Sequence, residues 1–350
     1  MSLSRTIVSD THIALQHTVH RQDFGMQVDV RIPAKGVTGL FGPSGSGKTT
    51  LLRCIAGLEN RDASGSQPVH KRGIGYVFQE PQLFPHLDVR GNIRFGLRRN
   101  GSSQLDEQSV VAMLGLEALL HRRPTELSGG EAQRVAIAAV LLRSPQLILM
   151  DEPLASLDQR RKDELLPYLD RLHDELSVPV IYVSHNIDEV TRLCDHLLLI
   201  DDGRIVASGK LQDVLARLDI PILYGRNAGT VIRATPTRYD SDFDLTRFRF
   251  SGGEMLVPGR HDDRSPNLRL RIAASDVSIC LVRPQKSTIL NVLPAEVDEV
   301  QPTGPSTDLV RLAVGDDYLL AQVTRLSVTR LDLKRGDPVF AQIKSVTVRR

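Results

Sequence analysis

Missing from this chain of 350 residues are a charge excess, a membrane-length apolar run and cysteines at metal-ligand spacing. Its 44 basic and 42 acidic residues leave a formal net charge of +2, and no basic run concentrates them. A nucleic-acid surface shows as a basic excess or cluster, so no nucleic acid is expected as a partner. Cys54, Cys194 and Cys280 lie far apart and match no metal site, which suits three reduced thiols in a reducing compartment. The most apolar stretch, VAIAAVLL at 135–142, is closed off by Arg134 and Arg143. It falls far short of the ~20 residues that a spanning helix needs. The opening MSLSRTIVSDTHIALQ has no basic head followed by an apolar segment, so no export signal is expected. Low-complexity tracts and long coiled-coil heptads are lacking too. A cytosolic chain is expected, with any membrane work done through a partner.

What is present divides in two. The length favours more than one domain. Up to about residue 230, continuous apolar runs alternate with helical spacing: VTGLF (37–41), GIGYVF (73–78), LILM (147–150), VIYVS (180–184) and LLLI (197–200). Runs of that kind predict a parallel sheet covered by helices, an α/β domain. Beyond it, LTRFRF (245–250), LRLRI (268–272) and LVRLAV (309–314) alternate with period two between Gly, Pro and Asp turns. An all-β region is predicted there, ending in a small β-barrel or sandwich. The expected division is 1–230, a β-rich connection at 231–284, and a compact β module at 285–350.

Chemistry concentrates in the first part. Gly42, Pro43, Ser44, Gly45, Ser46, Gly47, Lys48 and Thr49, followed by Thr50, fit the phosphate-binding pattern G-x-x-x-x-G-K-[ST]. A strand enters the loop and a helix leaves it. Its glycines let successive N–H groups converge on phosphate oxygens at a helix N-terminus. Lys48 then reaches the β- and γ-phosphates, and the Thr49 hydroxyl binds Mg²⁺. LILMDEP (147–153) delivers Asp151 to a strand end as a second Mg²⁺ ligand, and Glu152 beside it as general base for an attacking water.

LSGGEAQRVAIAAVLL (127–142) carries a capping box, Ser128 with Glu131. Gly129 and Gly130 are poor helix formers in its first turn, each costing ~1 kcal/mol relative to alanine. They suit a backbone that another object, such as a terminal phosphate, must approach closely. Here the chain resembles the ABC transporter ATPases, whose signature is LSGGQ or LSGGE. The resemblance covers roughly residues 1–230 and implies ATP as the nucleotide. It implies that Gln79 is a catalytic residue and a further Mg²⁺ ligand, linking the nucleotide site to transmembrane subunits. Asp158 in SLD matches the D-loop, and His185 in VSH the switch histidine. It further implies a homodimer in which the loop of one copy and Ser128, Gly129 and Gly130 of the other sandwich each ATP. Two positions depart from the pattern. No Tyr or Trp stands where the family stacks an aromatic on adenine; His17, His20 and Phe24 are nearby and the contact is unassigned. Ala139 stands where an arginine is common.

The last stretch, RIAASDVSI with STILNVLPAEV and RLAVGDDYLLAQVTRLSVTRLDLKRGDPVFAQIKSVTV, resembles the Mop-type molybdate-binding module of molybdate importer ATPases. The segment GYVFQEPQLFPHLDVRGNIRFG (75–96) resembles the same family. A tetrahedral dianion takes N–H, hydroxyl and amide donors, so Lys286, Ser287, Thr288 and Asn291 are the candidate oxyanion ligands. The resemblance implies the ATPase subunit of a molybdate importer, held at the cytoplasmic face of the membrane by permease subunits and served by a substrate-binding protein. Tungstate, sulfate or another substrate stays open, as does a tail that serves only dimerisation.

Overall fold

The computed structural model describes residues 4–21, 24–59, 72–95, 106–175, 178–261 and 268–349. The chain divides into two compact units, Met1–Gly209 and Lys210–Arg350.

In the first unit the strands are β1 (Ser4–Val8), β2 (His12–Arg21), β3 (Phe24–Pro33), β4 (Val37–Phe41), β5 (Ile74–Val77), β6 (Leu147–Asp151), β7 (Val180–Val183), β8 (His196–Asp201) and β9 (Arg204–Lys210). They form one sheet in the order β1-β2-β3-β9-β8-β4-β7-β6-β5. The strands predicted from apolar runs make its parallel part: β4 pairs with β7 and β8, and β6 with β5 and β7. Every residue of β4, β6 and β7 is buried, which is why these segments are continuously apolar rather than alternating. An antiparallel arm, β1–β2–β3, extends the sheet on one side, so the sheet is mixed. In that arm β3 alternates between buried and open residues, as a strand with one covered face should.

The helices are α1 (Lys48–Ala56), α2 (Val89–Arg94), α3 (Glu107–Met113), α4 (Gly129–Leu141), α5 (Gln159–Glu175) and α6 (Ile187–Leu193). Helix α1 buries Leu51, Leu52 and Ile55 against Leu40, Leu149, Val183 and Leu198 of the sheet. Each such side chain contributes ~1.5–3 kcal/mol of hydrophobic stabilisation. That packing fixes the loop before α1 over the carboxyl ends of β4, β6 and β7. In open α/β sheets this edge is where ligands bind.

The second unit holds β10 (Gly229–Asp240), β11 (Leu245–Phe250), β12 (Gly253–Pro258), β13 (Leu268–Ala273), β14 (Val277–Cys280), β15 (Asn291–Pro302), β16 (Thr307–Val314), β17 (Asp317–Thr324), β18 (Pro338–Ile343) and β19 (Thr347–Arg349), with short helices α7 (Leu211–Leu215) and α8 (Arg325–Leu331). Two antiparallel sheets result, β12-β11-β10-β13-β19 and β14-β18-β15-β16-β17. The second curls until its end strands β14 and β17 lie against each other. A bulge between Val297 and Glu299 falls within its β15–β16 ladder, a device that bends strands. One core joins the two sheets, with Ile232, Phe248 and Leu270 packed in the same cluster as Val297, Leu312, Leu319 and Ile343. Strand β14, upstream of residue 285, belongs to the curled sheet through β18. Among the described residues no helix is long and apolar enough to cross a membrane.

Candidate functional site

The loop between β4 and α1 is closed on itself. Lys48 is 6% exposed, and its Nζ donates to the carbonyls of Gly42 (2.9 Å) and Pro43 (2.7 Å). Burial pulls the Lys48 pKa below the ordinary lysine value, against the opposing pull of Glu152 and Asp151. The ammonium is thus held by two backbone carbonyls, with the Glu152 and Asp151 carboxylates acting on it from nearby. Ser46 Oγ is buried with no hydrogen-bond partner, a donor left over in a built loop. Gly47 has φ 102°, and a Cβ there would meet Phe24 Cζ at 2.7 Å, so only glycine suits the position. Of the three residues near the unassigned adenine contact, Phe24 is the one whose ring touches the loop. His17 is buried, with Nε2 3.0 Å from Thr6 Oγ1, and its pKa is lowered to about 4 by burial first and Arg72 second. His20 is exposed.

Asp151 closes β6 and is 8% exposed. Its Oδ1 accepts from Thr49 Oγ1 at 3.1 Å, and its Oδ2 from the Tyr76 hydroxyl at 2.8 Å. Two of the three predicted Mg²⁺ ligands, Thr49 and Asp151, 102 residues apart in sequence, are therefore in contact. Glu152, next in the chain, has φ 46°, a left-handed conformation uncommon for a residue with a side chain. Strain of this kind concentrates at functional sites. The turn brings the carboxylate to His185, with Oε2 3.1 Å from Nδ1. Glu152 N donates to Val183 O, so the same turn is stitched to the strand that carries His185.

Behind His185 lies a buried polar knot. Glu189 accepts from Ser184 Oγ (2.8 Å), the Tyr182 hydroxyl (3.1 Å) and Lys162 Nζ (2.9 Å). Lys162 stands in the first turn of α5, its N–H bonded to the carbonyl of Asp158. Asp158 is exposed, with Oδ1 accepting from Arg161 N at 2.9 Å. The loop of Asp158 and the loop of His185 are thus tied through one carboxylate, a connection with no local sequence signal.

Helix α4 begins as its sequence predicts. Ser128 Oγ accepts from Glu131 N, and Glu131 Oε2 accepts from Ser128 N at 2.7 Å. Nothing lies within 4 Å of a Cβ built on Gly130, so this face is open. The small cavity that Ser128 and Gly130 line is walled by Glu131, Arg134 and Arg161 and by no residue of the 42–49 loop. Gln133 of α4 is buried and donates to the carbonyl of Phe78, which ties α4 to the segment leading into Gln79. Gln79 itself is exposed beyond the end of β5, as are Lys286, Ser287 and Thr288 between β14 and β15. Asn291 is not open with them: its Oδ1 accepts from Leu256 N (2.7 Å) and its Nδ2 donates to Leu256 O (2.9 Å). Ser287 Oγ accepts from Ile289 N.

A loop of N–H groups around a buried lysine, a spare serine hydroxyl, and an Asp–Thr pair beside a Glu–His pair fit a nucleotide triphosphate. Among the described residues no cluster of His, Cys, Asp and Glu could cage a metal on its own. The Thr49 hydroxyl and an Asp151 carboxylate oxygen are the kind of donors that Mg²⁺ takes, one or two protein oxygens together with substrate phosphates.

The family model of the ABC transporter matches residues 26–155, and that of the TOBE domain matches residues 287–349. "Molybdenum import ATP-binding protein ModC 1" of Azotobacter vinelandii is 48% identical over 343 residues, covering 93% of this chain and 95% of that relative. "Molybdenum import ATP-binding protein ModC" of Thiobacillus denitrificans is 50% identical, covering 93% and 94%. A solved structure of cbiO1 from Clostridium perfringens, described as part of the ABC transporter complex cbiONQ, matches with a TM-score of 0.51 and 27% identity. It covers 61% of this chain and 94% of that one.

Proposed function

The chain belongs to the molybdenum import ATP-binding proteins of the ABC transporter family and is therefore an ABC-type ATPase; from that premise we propose that it is the ATPase subunit of a molybdate importer. ATP binds with its phosphates in the loop of residues 42–49. Lys48 exchanges its two carbonyl partners for β- and γ-phosphate oxygens, and Ser46 Oγ and the loop N–H groups supply neutral donors. Phe24, against Gly47, is the adenine platform. Thr49 and Asp151 hold Mg²⁺, which supplies charge neutralisation on the phosphates. Glu152 takes the proton of the attacking water while His185 holds the carboxylate in place. The observation that carries this reading is the Glu152–His185 contact at the ends of β6 and β7, one residue from the Asp151–Thr49 pair.

The open glycine face at Ser128–Gly130, away from the loop, supports a two-copy site. A second copy's Ser128, Gly129 and Gly130 close over the γ-phosphate, with its Asp158 loop alongside. Gln79, at the exposed end of β5, reports nucleotide occupancy to permease subunits. Those subunits hold the chain at the cytoplasmic face of the membrane, and a substrate-binding protein delivers molybdate to them from outside. The module matched by the TOBE model binds the oxyanion through the exposed Lys286, Ser287 and Thr288, while Asn291 serves the fold by pinning Leu256.

The test is Glu152→Gln. It keeps the phosphate and Mg²⁺ contacts and loses the base, so an ATP-bound dimer accumulates in size-exclusion chromatography and turnover is lost. Only monomers, with hydrolysis within a few-fold of wild type, overturn the assignment.

A further inference from the structure

Asp151 is held by more than Thr49. The carboxylate sits at the end of β6, and a terminal sp³–sp² torsion like that of Asp has no sharp preferred angle. Unless both oxygens are engaged, it can turn. The structure engages both, from two directions. One arm is Thr49, whose hydroxyl donates to Oδ1. The other is Tyr76, whose hydroxyl donates to Oδ2.

Tyr76 is placed by the sheet. It pairs with Leu149 across the parallel β5–β6 ladder. Asp151, two residues past Leu149, points to the same face because strand side chains alternate. The ring packs beside the core formed by α1 and the sheet. It also lies against Phe78, two residues on, with centroids 4.3 Å apart and planes tilted by 35°. The Arg53 guanidinium is a second electrostatic neighbour of the hydroxyl. Thr49 and Arg53 are four residues apart on α1, hence one turn apart on one helix face. Helix α1 therefore holds the carboxylate directly through Thr49 and carries Arg53 near the hydroxyl that holds its other oxygen.

We propose that Tyr76 is a positioning residue for the Mg²⁺ site, its hydroxyl fixing the Asp151 carboxylate so that Oδ1 faces Thr49. This rests on the reading that Asp151 and Thr49 hold the metal. Tyr76 touches neither metal nor nucleotide; it acts through Asp151. Partners of this kind, which orient a ligating carboxylate, are typically worth roughly 10–100-fold in metal affinity. A tyrosine kept only for packing would show no such effect when its hydroxyl alone is removed.

The experiment compares full-length wild type, Tyr76→Phe, Arg53→Ala and Asp151→Asn. Each binds a fluorescent ATP analogue with Mg²⁺ present and with the metal removed by EDTA, and the ratio of the two dissociation constants is the readout. Phenylalanine keeps the ring, its stack on Phe78 and its core contact. Tyr76→Phe is expected to leave metal-free binding within two-fold of wild type and to cut the Mg²⁺ preference by about ten-fold or more. Arg53 has a side chain 52% exposed, so Arg53→Ala does not threaten the fold, and it shifts the ratio the same way by less. An unchanged ratio in Tyr76→Phe and Arg53→Ala, with Asp151→Asn losing the preference, overturns the role of Tyr76 and leaves the metal site standing. An Asp151→Asn variant that keeps the Mg²⁺ preference overturns both.

Discussion

Glu189→Ala tests how the His185 loop is supported. Glu189 is 6% exposed and receives three bonds, from Ser184, Tyr182 and Lys162. Alanine removes the acceptor of two hydroxyls and the partner of an ammonium whose side chain is 15% exposed. Breaking a buried pair by deleting one member costs about 3–5 kcal/mol, because the other charge is left uncompensated. The lower end applies here, since Lys162 can turn its long stem toward water. Glu189→Gln keeps an acceptor for both hydroxyls, so it costs less. Combined with Lys162→Met, which removes the stranded charge, it costs less than Glu189→Gln alone with Lys162 retained. The protein has no tryptophan and two compact units, so a global fluorescence melt is a poor probe. Amide hydrogen exchange over residues 180–193 reads the local opening energy directly. The expected result is faster exchange in Glu189→Ala by the equivalent of about 3 kcal/mol, with unchanged protection in residues 291–343. ATP binding should persist while turnover falls, because the strand end that carries His185 is loosened. Protection of residues 180–193 in Glu189→Ala within about 1 kcal/mol of wild type refutes the reasoning. So does a Lys162–Glu189 double-mutant cycle with no coupling.

Lys48→Ala removes the only charge facing the phosphates in a loop of neutral donors, so an ATP-binding titration should show affinity abolished; near-normal binding counts against the loop. His17 stays neutral in the fold down to about pH 4, while its unfolded form protonates near 6.5. Its contribution is full above 6.5 and is lost as pH falls toward 4, about 3 kcal/mol in all. Amide hydrogen exchange over residues 12–20 at pH 7.5 and 5 should therefore show a smaller acid loss of protection in His17→Gln than in wild type. Asn291→Ala removes both bonds to Leu256 and should lower the stability of the second unit by about 2 kcal/mol in urea, even without any oxyanion; a neutral effect shows that the amide bridge contributes nothing. The proposed attachment through permease subunits predicts that the protein sediments with membranes only when its permease is co-expressed, and retention on protein-free lipid contradicts this.

Legibility followed the range of the interaction. VTGLF, LILM and VIYVS are recognisable as strands because both their faces are covered, and LSGGE declares its cap within four residues. The meeting of Glu152 with His185 and of Thr49 with Asp151 follows from the order of the motifs, since Asp151, Glu152 and His185 stand at or just past strand ends and Thr49 opens the helix that follows the loop after β4. The β1–β3 arm carries no comparable mark: IALQHTVHR alternates apolar residues with polar ones and histidines, and only its pairing partner shows which face is covered. Phe24 is one aromatic among several candidates until β3 brings its ring to Gly47. Tyr76 and Glu189 are likewise invisible locally, one reading as an ordinary strand aromatic and the other as a helix-surface acid. Asn291 groups with Lys286, Ser287 and Thr288 by sequence, yet its strand turns it inward to Leu256, and an inward amide must find a partner.

The most direct test of the central claim is molybdate uptake into proteoliposomes that hold this chain with the permease and substrate-binding protein of its own system. ATP is placed on the side where the chain sits, and molybdate on the other with the binding protein. Wild type should accumulate molybdate with hydrolysis rising in parallel, and Glu152→Gln should lose both while still binding ATP. Sulfate or phosphate moved in place of molybdate, or uptake that continues in Glu152→Gln, contradicts the account.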